Sequence, residues 1–328
     1  MNGCFSKKGL MIDAGLHKEI MAPLEELRNC NICPRRCNAD RFSNKKGYCK
    51  AGIEFGISSI CIHRGEEPVI SGSRGICNVF FTHCNLQCVF CQNYQISDNK
   101  LNHSADFMKL EEVLLQIIRI LDTGINILGF VSPTHYIPQM KIIVRALESK
   151  GYHPTIVYNS NGYDDVEQLR RLEGMVDVYL PDFKYMDEEL SRRYSDAGDY
   201  PRQALAAHKE MLRQMGSNLI VSEEGYAMRG MLIRHLVLPG HTENSIRIVE
   251  TIAGELSAGL TISLMSQYYP SHKADEYPVL TKVLEAREYY KVVDRMSALG
   301  FSKGFIQGIE SSDHYRPDFE MDHPFEKE

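Results

Sequence analysis

The sequence predicts an α/β fold, a partial (βα)6 TIM-like barrel preceded by a small N-terminal Cys-rich metal-binding module. Two observations support this prediction. From about Gly75 onward, short apolar runs alternate with amphipathic runs, and such apolar runs suit a parallel sheet that is covered on both faces. All ten cysteines lie between Cys4 and Cys91, so we expect the metal chemistry in the first third of the chain.

Six apolar runs are predicted to be strands: Ile76–Phe81, Ile125–Val131, Thr155–Tyr158, Val176–Phe183, Met231–Leu238 and Leu260–Met265. Between them, apolar residues at i, i+3, i+4 spacing predict helices with one buried face, clearest from Leu110 to Leu121 and around Val249. A further helix is predicted at about Thr281–Leu299, before a short strand at Gly304–Gln307. Six β/α units in succession imply right-handed crossovers and a barrel or open barrel.

The chain is predicted to have three parts. Residues 1–74 form an N-terminal segment that contains the Cys-rich module at 30–49, residues 75–310 form the barrel, and residues 311–328 form a tail. A net charge of −6 argues against a nucleic-acid partner, and no apolar run is long enough to span a membrane. Met1–Met21 lacks the apolar core of a signal peptide, so we expect a cytoplasmic protein whose cysteines are not a disulfide framework.

The most specific motif is the C-x3-C-x2-C spacing of Cys84, Cys88 and Cys91. Three thiolates on one loop suit a [4Fe–4S] cluster, which normally takes four, so that one iron stays open. The alternatives are three packed cysteines or half of a zinc site, although zinc sites usually pair C-x2-C units or add histidines. The motif resembles the radical S-adenosylmethionine (SAM) superfamily. This resemblance implies that the open iron binds SAM and that an electron cleaves SAM to methionine and a 5′-deoxyadenosyl radical.

Polar residues follow every predicted strand, where β/α barrels place their chemistry. The candidates are His83, Ser132, Thr134, Asn159, Asn161, Asp182, Lys184 and Arg234. The Glu66-Glu67 pair is interpreted as a general base or substrate ligand at the barrel mouth, or as a solvated turn before Pro68.

Several stretches together resemble the PflX-type radical SAM proteins, homologues of pyruvate formate-lyase activating enzyme. They are Cys33-Pro34-Arg35-Arg36-Cys37, Gly65-Glu66-Glu67-Pro68, Gln92-Asn93-Tyr94-Gln95-Ile96-Ser97, Phe130-Val131-Ser132-Pro133-Thr134-His135-Tyr136 and Met265-Ser266-Gln267-Tyr268. The resemblance implies that Cys84, Cys88 and Cys91 bind the cluster.

The same resemblance implies a SAM site. Asn159, Asn161, Asp182 and Lys184 match positions that line the SAM site in activating enzymes, and Arg234 resembles the fifth-strand motif. Glycyl-radical activating enzymes hold the amine of SAM with a Gly-Gly-Glu motif after the second strand. This chain has Ser132-Pro133-Thr134-His135 there, so the hydroxyls of Ser132 and Thr134, together with backbone carbonyls, are expected to replace it.

A second set of cysteines, Cys30, Cys33, Cys37 and Cys49, supplies four thiolates in the N-terminal module. Four sulfurs complete either a structural zinc site or a second [4Fe–4S] cluster. The short spacing in a module without its own core favours zinc, whereas a cluster motif in the same chain favours iron. Arg35 and Arg36 would partly neutralise either site.

The leading functional hypothesis is therefore a radical SAM enzyme of the oxidoreductase class, similar to pyruvate formate-lyase activating enzyme and working under anaerobic conditions. Its substrate would be a protein, such as the glycyl loop of a glycyl radical enzyme, or a small molecule. The resemblance also implies an electron donor such as flavodoxin or ferredoxin. The competing hypothesis is a non-enzymatic adaptor that binds zinc or iron at both cysteine sets.

Overall fold

The computed structural model describes residues 14–43, 45–310, 317–321 and 324–325. Cys4 and much of the predicted 311–328 tail lie outside these residues. The chain begins with helix α1 (Ala14–Met21), which continues as a 3₁₀ helix (Ala22–Asn29). After a 3₁₀ turn at Arg41–Ser43 comes the first strand, β1 (Phe55–His63).

A mostly parallel sheet forms the centre of the molecule. Its other strands are β2 (Ile76–Phe81), β3 (Phe107–Met108), β4 (Ile127–Val131), β5 (Thr155–Ser160), β6 (Val178–Pro181), β7 (Ile220–Val221), β8 (Ala227–Leu236), β9 (Thr261–Met265) and β10 (Gly304–Ile306). The strand order is β10-β9-β8-β6-β5-β4-β2-β1-β3, with β7 paired to β8. Along this order the pairings from β10 to β2 are parallel, whereas β7 pairs antiparallel with β8. The predicted α/β class is confirmed, and all six predicted strands are present with ends shifted by a few residues.

Helices connect the strands. They are α2 (Pro68–Ser71), α3 (Tyr94–Ser97), α4 (Leu110–Leu121), α5 (Ile137–Glu148), α6 (Val166–Arg170), α7 (Glu188–Ser195), α8 (Tyr200–Met215), α9 (Thr242–Thr251) and α10 (Ala286–Ala298). Helix α10 begins later than predicted because Glu285 and Glu288 form a capping box at its first turn. Helix α9 continues as a π-helical stretch, Ile252–Ser257. In the part of the chain that the structure describes, no helix could cross a membrane.

Strand β1 was not predicted from the sequence. It pairs antiparallel with β2 from Ile57 to His63, so the sheet extends across the predicted boundary at residues 74 and 75. On its other side β1 pairs with β3 only at Phe55 and Gly56. Among the described residues, the His63 end of β1 therefore lies at one edge of the sheet, while β10 forms the other edge.

Asp164, in the turn after β5, binds side chains at the ends of two neighbouring strands, β4 and β5. Its buried carboxylate accepts hydrogen bonds from Thr134 Oγ1 and Tyr158 Oη, both at 2.7 Å, and from Ser160 Oγ. Burial raises the pKa of Asp164, against the opposing effect of these three donors. Three buried hydroxyls thus depend on one carboxylate for their acceptor.

We expect Asp164→Asn to lower the free energy of unfolding by about 1–3 kcal/mol, because an amide offers one acceptor oxygen to three buried donors. Urea denaturation measures this loss. Asp122→Asn is the matched control, since Asp122 accepts a tyrosine hydroxyl at 3.0 Å on the exposed surface; it should change stability by less than about 0.5 kcal/mol. Equal losses in the two variants would contradict the role assigned to Asp164.

Candidate functional site

A cavity of about 620 Å³ lies at the carboxyl ends of the parallel strands, within the usual range for small-molecule sites. Each strand that pairs in parallel from β2 to β10, or the residue directly after it, contributes to the wall of the cavity. The lining residues at strand ends include Phe81, Ser132, Asn159, Asp182, Leu236, Met265 and Gln307. The cavity therefore lies where the sequence predicted the chemistry of the barrel.

The three cysteines of the predicted cluster loop all line this cavity. Burial raises the pKa of the Cys84 thiol to about 12 and that of the Cys91 thiol to about 11, and nearby Cys88 adds to both shifts. Burial also raises the pKa of Cys88, whereas the nearby Lys184 opposes that shift. Three neighbouring sulfurs that face one cavity are a donor set that favours a metal centre.

Polar groups surround each sulfur. Ser195 Oγ donates to Cys88 Sγ at 3.0 Å, and Ser97 Oγ lies 3.2 Å from Cys91 Sγ. Asn161 Nδ2 donates to Cys84 Sγ at 3.4 Å. Hydrogen bonds of this kind stabilise thiolates and tune the potential of an iron–sulfur cluster, and a bound metal deprotonates a coordinating thiol. The residues present thus fit a [4Fe–4S] cluster.

No three His, Cys, Asp or Glu side chains within the described ranges are grouped to hold one metal ion. A cubane cluster binds its thiolates through different iron atoms, so the ligands of a cluster need not converge on one point. Cys30, Cys33 and Cys49 are buried, and Cys37 is half-buried. Arg41 Nη2 donates to Cys49 Sγ at 3.6 Å. The second metal at these four cysteines stays a prediction.

Asn99 and Asn85 position the cluster loop, which begins after a residue with an unusual backbone conformation. His83, just before the loop, adopts a φ of 62°, which is uncommon for a residue other than glycine. The side chain of Asn99 accepts from Cys84 N at 3.1 Å and donates to Cys84 O at 2.9 Å. Asn85 Nδ2 donates to Tyr163 O at 2.8 Å. These contacts hold the loop from both sides.

Asn161 links the cluster loop to the end of β5. Its side-chain amide donates to Asn85 Oδ1 at 2.7 Å and accepts from Tyr163 N at 2.9 Å. Gly162 follows with a φ of +80°, and a Cβ there would lie 2.2 Å from Asp182 O. Only glycine fits this turn without strain. The predicted residues Asn159 and Asn161 both line the cavity.

Asp182 and Lys184 form an ion pair in the cavity wall, with Lys184 Nζ 2.6 Å from Asp182 Oδ2. Burial acts to lower the pKa of Lys184, but Asp182 and then Cys88 outweigh it, so the pKa is raised. Lys184 is therefore a fixed positive charge beside the cysteine sulfurs. This charge favours their deprotonated form.

Arg234 also lines the cavity, but its guanidinium is bound by two carboxylates. Nε donates to Glu67 Oε1 at 2.8 Å and Nη2 to Glu67 Oε2 at 2.6 Å, while Nη2 also donates to Glu66. Glu66 Oε1 accepts from Asn78 at 2.8 Å and lies 3.2 Å from His63 Nδ1. The side chains of Glu66 and Glu67 are thus buried in the cavity wall rather than exposed in a solvated turn.

In the loop after β4, the hydroxyls of Ser132 and Thr134 lie in different surroundings, although the sequence analysis assigned them the same role. Ser132 lines the cavity with a φ of 50° and a ψ of 51°. Thr134 is not among the lining residues; it is fully buried and donates to Asp164. Ser195, Asn78 and Asn85 were missed by the sequence analysis, because only the fold brings these otherwise ordinary residues to the site.

Comparisons with known proteins show which family the sequence resembles. Residues 78–252 match the Radical SAM superfamily model. A protein of Methanocaldococcus jannaschii, described as uncharacterized, is 30% identical over 273 residues, which cover 81% of this chain and 74% of that protein.

Two solved structures resemble the fold at 14% identity each. SuiB of Streptococcus suis has a TM-score of 0.44, with 69% of this chain and 47% of SuiB covered. HydG, described as a maturase of the [FeFe]-hydrogenase, has a TM-score of 0.47, with 91% of this chain and 64% of HydG covered. The chain thus spans less than two thirds of either of those two proteins.

We expect the Glu66 ion cluster to make stability sensitive to acid. Burial acts to raise the pKa of Glu66, but Arg234 and then His63 outweigh it and hold the pKa well below the ordinary 4.5. The stabilisation from Glu66 is therefore complete above pH 4.5 and is lost as the pH falls toward the folded-state pKa. Below pH 4.5 the free energy of unfolding should fall more steeply in the native protein than in Glu66→Gln, by up to about 1.4 kcal/mol per pH unit.

Urea denaturation between pH 3 and 7 tests this difference. Glu25→Gln is the matched control, because Glu25 pairs with Arg28 on the exposed surface at 2.6 Å. Its pH profile should run parallel to that of the native protein. A Glu66→Gln profile that also ran parallel would show that Glu66 titrates no differently in the folded and unfolded chains.

Proposed function

The chain belongs to the radical SAM superfamily, and we propose that it abstracts a hydrogen atom from a protein or small-molecule substrate after reductive cleavage of SAM. Membership implies a [4Fe–4S] cluster and SAM. One observation supports this proposal for the present chain: Cys84, Cys88 and Cys91 share a single cavity with the polar residues at the strand ends.

Cys84, Cys88 and Cys91 would hold the cluster. When bound, the cluster supplies the electron that cleaves SAM, and the resulting radical removes hydrogen from the substrate. Asn161, Ser195 and Ser97 would hydrogen-bond the three sulfurs as they do in this structure. Lys184 would offset the negative charge of the thiolates, and Asp182 holds its ammonium group in place. Phe81, Leu86 and Phe90 supply apolar wall that limits water near the site.

SAM would be held by the polar lining residues, which are Ser132, Asn159, Asn161, Asp182, Lys184 and Arg234. Their carboxylate, amide and ammonium groups match the amine, carboxylate and ribose hydroxyls of SAM in hydrogen-bonding character. Thr134 leaves this set, since its hydroxyl already donates to Asp164. Arg234 would act with Glu66 and Glu67 as one ion cluster.

The finer assignment is a PflX-type enzyme of the oxidoreductase class, similar to pyruvate formate-lyase activating enzyme. The sequence stretches around Cys33, Glu66, Gln92, Ser132 and Ser266 support it. On this proposal, flavodoxin or ferredoxin supplies the electron in an anaerobic cytoplasm. The protein substrate would be a glycyl radical enzyme.

A second metal, zinc or iron–sulfur, is proposed at Cys30, Cys33, Cys37 and Cys49. Three of the four thiols are buried together, and burial raises the pKa of Cys33 and Cys49. The buried guanidinium of Arg41 lies beside them and would offset part of the charge of a tetrathiolate site.

The radical SAM proposal predicts that anaerobically reconstituted, dithionite-reduced protein converts SAM to 5′-deoxyadenosine. Cys88→Ala should lose both the SAM-responsive cluster signal and the product, because it removes one of three thiolates. Cys61→Ala is the control, since Cys61 is a buried cysteine outside the cavity lining, and it should retain both. Chromatography of the product, with iron and sulfide analysis, checks the prediction. Cluster-loaded protein that forms no 5′-deoxyadenosine with any reductant would refute the proposal.

The second-metal proposal predicts stoichiometric zinc or iron in the triple variant Cys84→Ala, Cys88→Ala, Cys91→Ala purified without oxygen. Chelation of that metal should lower the thermal midpoint, because a metal that binds the folded protein and not the unfolded chain adds its binding free energy to stability. Elemental analysis and calorimetry measure both effects. Adding Cys33→Ala and Cys49→Ala should abolish the metal. A triple variant that contains neither zinc nor iron would overturn the proposal.

A further inference from the structure

One wall of the cavity is made by a segment that follows the last strand. Pro317 and Phe325 line the cavity, together with His63 at the end of β1 and Phe305 and Ile306 in β10. Strands β1 and β10 lie toward opposite ends of the sheet. The 317–325 segment, described at residues 317–321 and 324–325, therefore lies against the side of the cavity that the parallel sheet leaves open.

Gln95 in α3 binds this segment through both ends of its amide. Nε2 donates to Asp318 Oδ1 at 2.9 Å, and Oε1 accepts from the backbone amide of Phe319 at 3.0 Å. The segment also turns back on itself, because Asp318 N donates to Pro324 O at 2.8 Å. Gln95 thus recognises both a backbone N–H and an acidic side chain of the bound segment.

Two aromatic side chains complete the contact. The Phe325 ring stacks on the His63 ring with centroids 3.9 Å apart, and the Phe319 ring meets Phe80 edge-on at 5.2 Å. Both phenylalanines pack against a small apolar cluster of Cys61, Phe80 and Ile96. This cluster is separate from the main core, so the barrel does not depend on the segment for its own packing.

The same residues connect to the site already described. Ser97, which contacts the Cys91 sulfur, lies in the same short helix as Gln95 and Ile96. His63 stacks on Phe325, and its Nδ1 atom lies 3.2 Å from Glu66 Oε1, which belongs to the ion cluster of Arg234. A chain bound on this surface would therefore lie between the cluster loop and the ion cluster, beside the cavity.

We propose that the surface formed by His63, Phe80, Gln95 and Ile96 binds a peptide segment with aromatic side chains, and that residues 317–321 and 324–325 occupy it as an intramolecular competitor. This inference rests on the proposed function, for which it names a polypeptide as the substrate class. The occupant seen on the surface is itself a peptide, held by a backbone hydrogen bond and two aromatic contacts. A substrate of the same chemistry would displace it to reach the cavity.

A fluorescein-labelled peptide with the sequence of residues 317–325 tests the proposal by fluorescence anisotropy. The double variant Phe319→Ala/Phe325→Ala should bind the peptide at least tenfold more tightly than the native protein, in which the tethered segment competes at an effective concentration on the order of millimolar. A peptide with both phenylalanines replaced by alanine should bind neither protein. Tyr290→Ala, which alters an exposed tyrosine of α10, is the control and should match the native protein.

A second measurement covers the case in which the double variant fails to fold. The chain has no tryptophan, so Phe325→Trp introduces a single fluorescent reporter of the contact with His63. Its emission should shift to the red when excess peptide displaces the segment. An unchanged emission, or equal peptide affinity in the native protein and the double variant, would overturn the proposal. Neither readout requires SAM cleavage. Peptide binding without formation of 5′-deoxyadenosine would therefore contradict only the proposed function. Formation of 5′-deoxyadenosine without displacement of the segment by the peptide would contradict only this inference.

Discussion

The hydrogen bond between the side chains of Asn161 and Asn85, 2.7 Å long, is the contact on which the rest of the site depends. It joins the turn after β5 to the loop that carries the three cysteines. Asn85 also binds Tyr163 O, so the loop is fixed at two points of the same turn. Gly162 makes that turn sharp enough for both contacts, because any side chain there would meet the backbone of Asp182.

The N-terminal module supports this contact from the other side. Arg35 Nε donates to Asn85 O at 2.9 Å, and its guanidinium stacks on Tyr48 at 3.7 Å and lies 5.3 Å from Tyr163. Arg41 Nη1 donates to His135 O at 2.8 Å. The two arginines therefore link the segment around Cys30, Cys33, Cys37 and Cys49 to the ends of β2, β4 and β5. This segment thus helps to position the wall of the cavity.

Structural features that depend on local sequence patterns were predicted, whereas features that depend on contacts between distant residues were missed. The apolar runs of β2 and β9 and the cysteine loop were predictable because their period and spacing are local signals. Strand β1 was missed, since Gly56, Ser58 and Ser59 interrupt its apolar pattern. The position of the Thr134 hydroxyl was not predicted, because it donates to Asp164, thirty residues away. The pairing of Arg234 with Glu66 and Glu67 joins residues more than 160 positions apart, and neither segment alone signals it.

The separation of the Cys61–Phe80–Ile96 cluster from the main core determines what can change on this surface. The outer side of this cluster is covered by the partly buried rings of Phe319 and Phe325. These two rings, unlike the three buried residues beneath them, can be exchanged without opening a cavity in the barrel core. The cysteine loop, by contrast, is tied to the core through Asn85, Asn99 and Asn161. A different occupant on the surface would therefore leave the position of the cysteines unchanged.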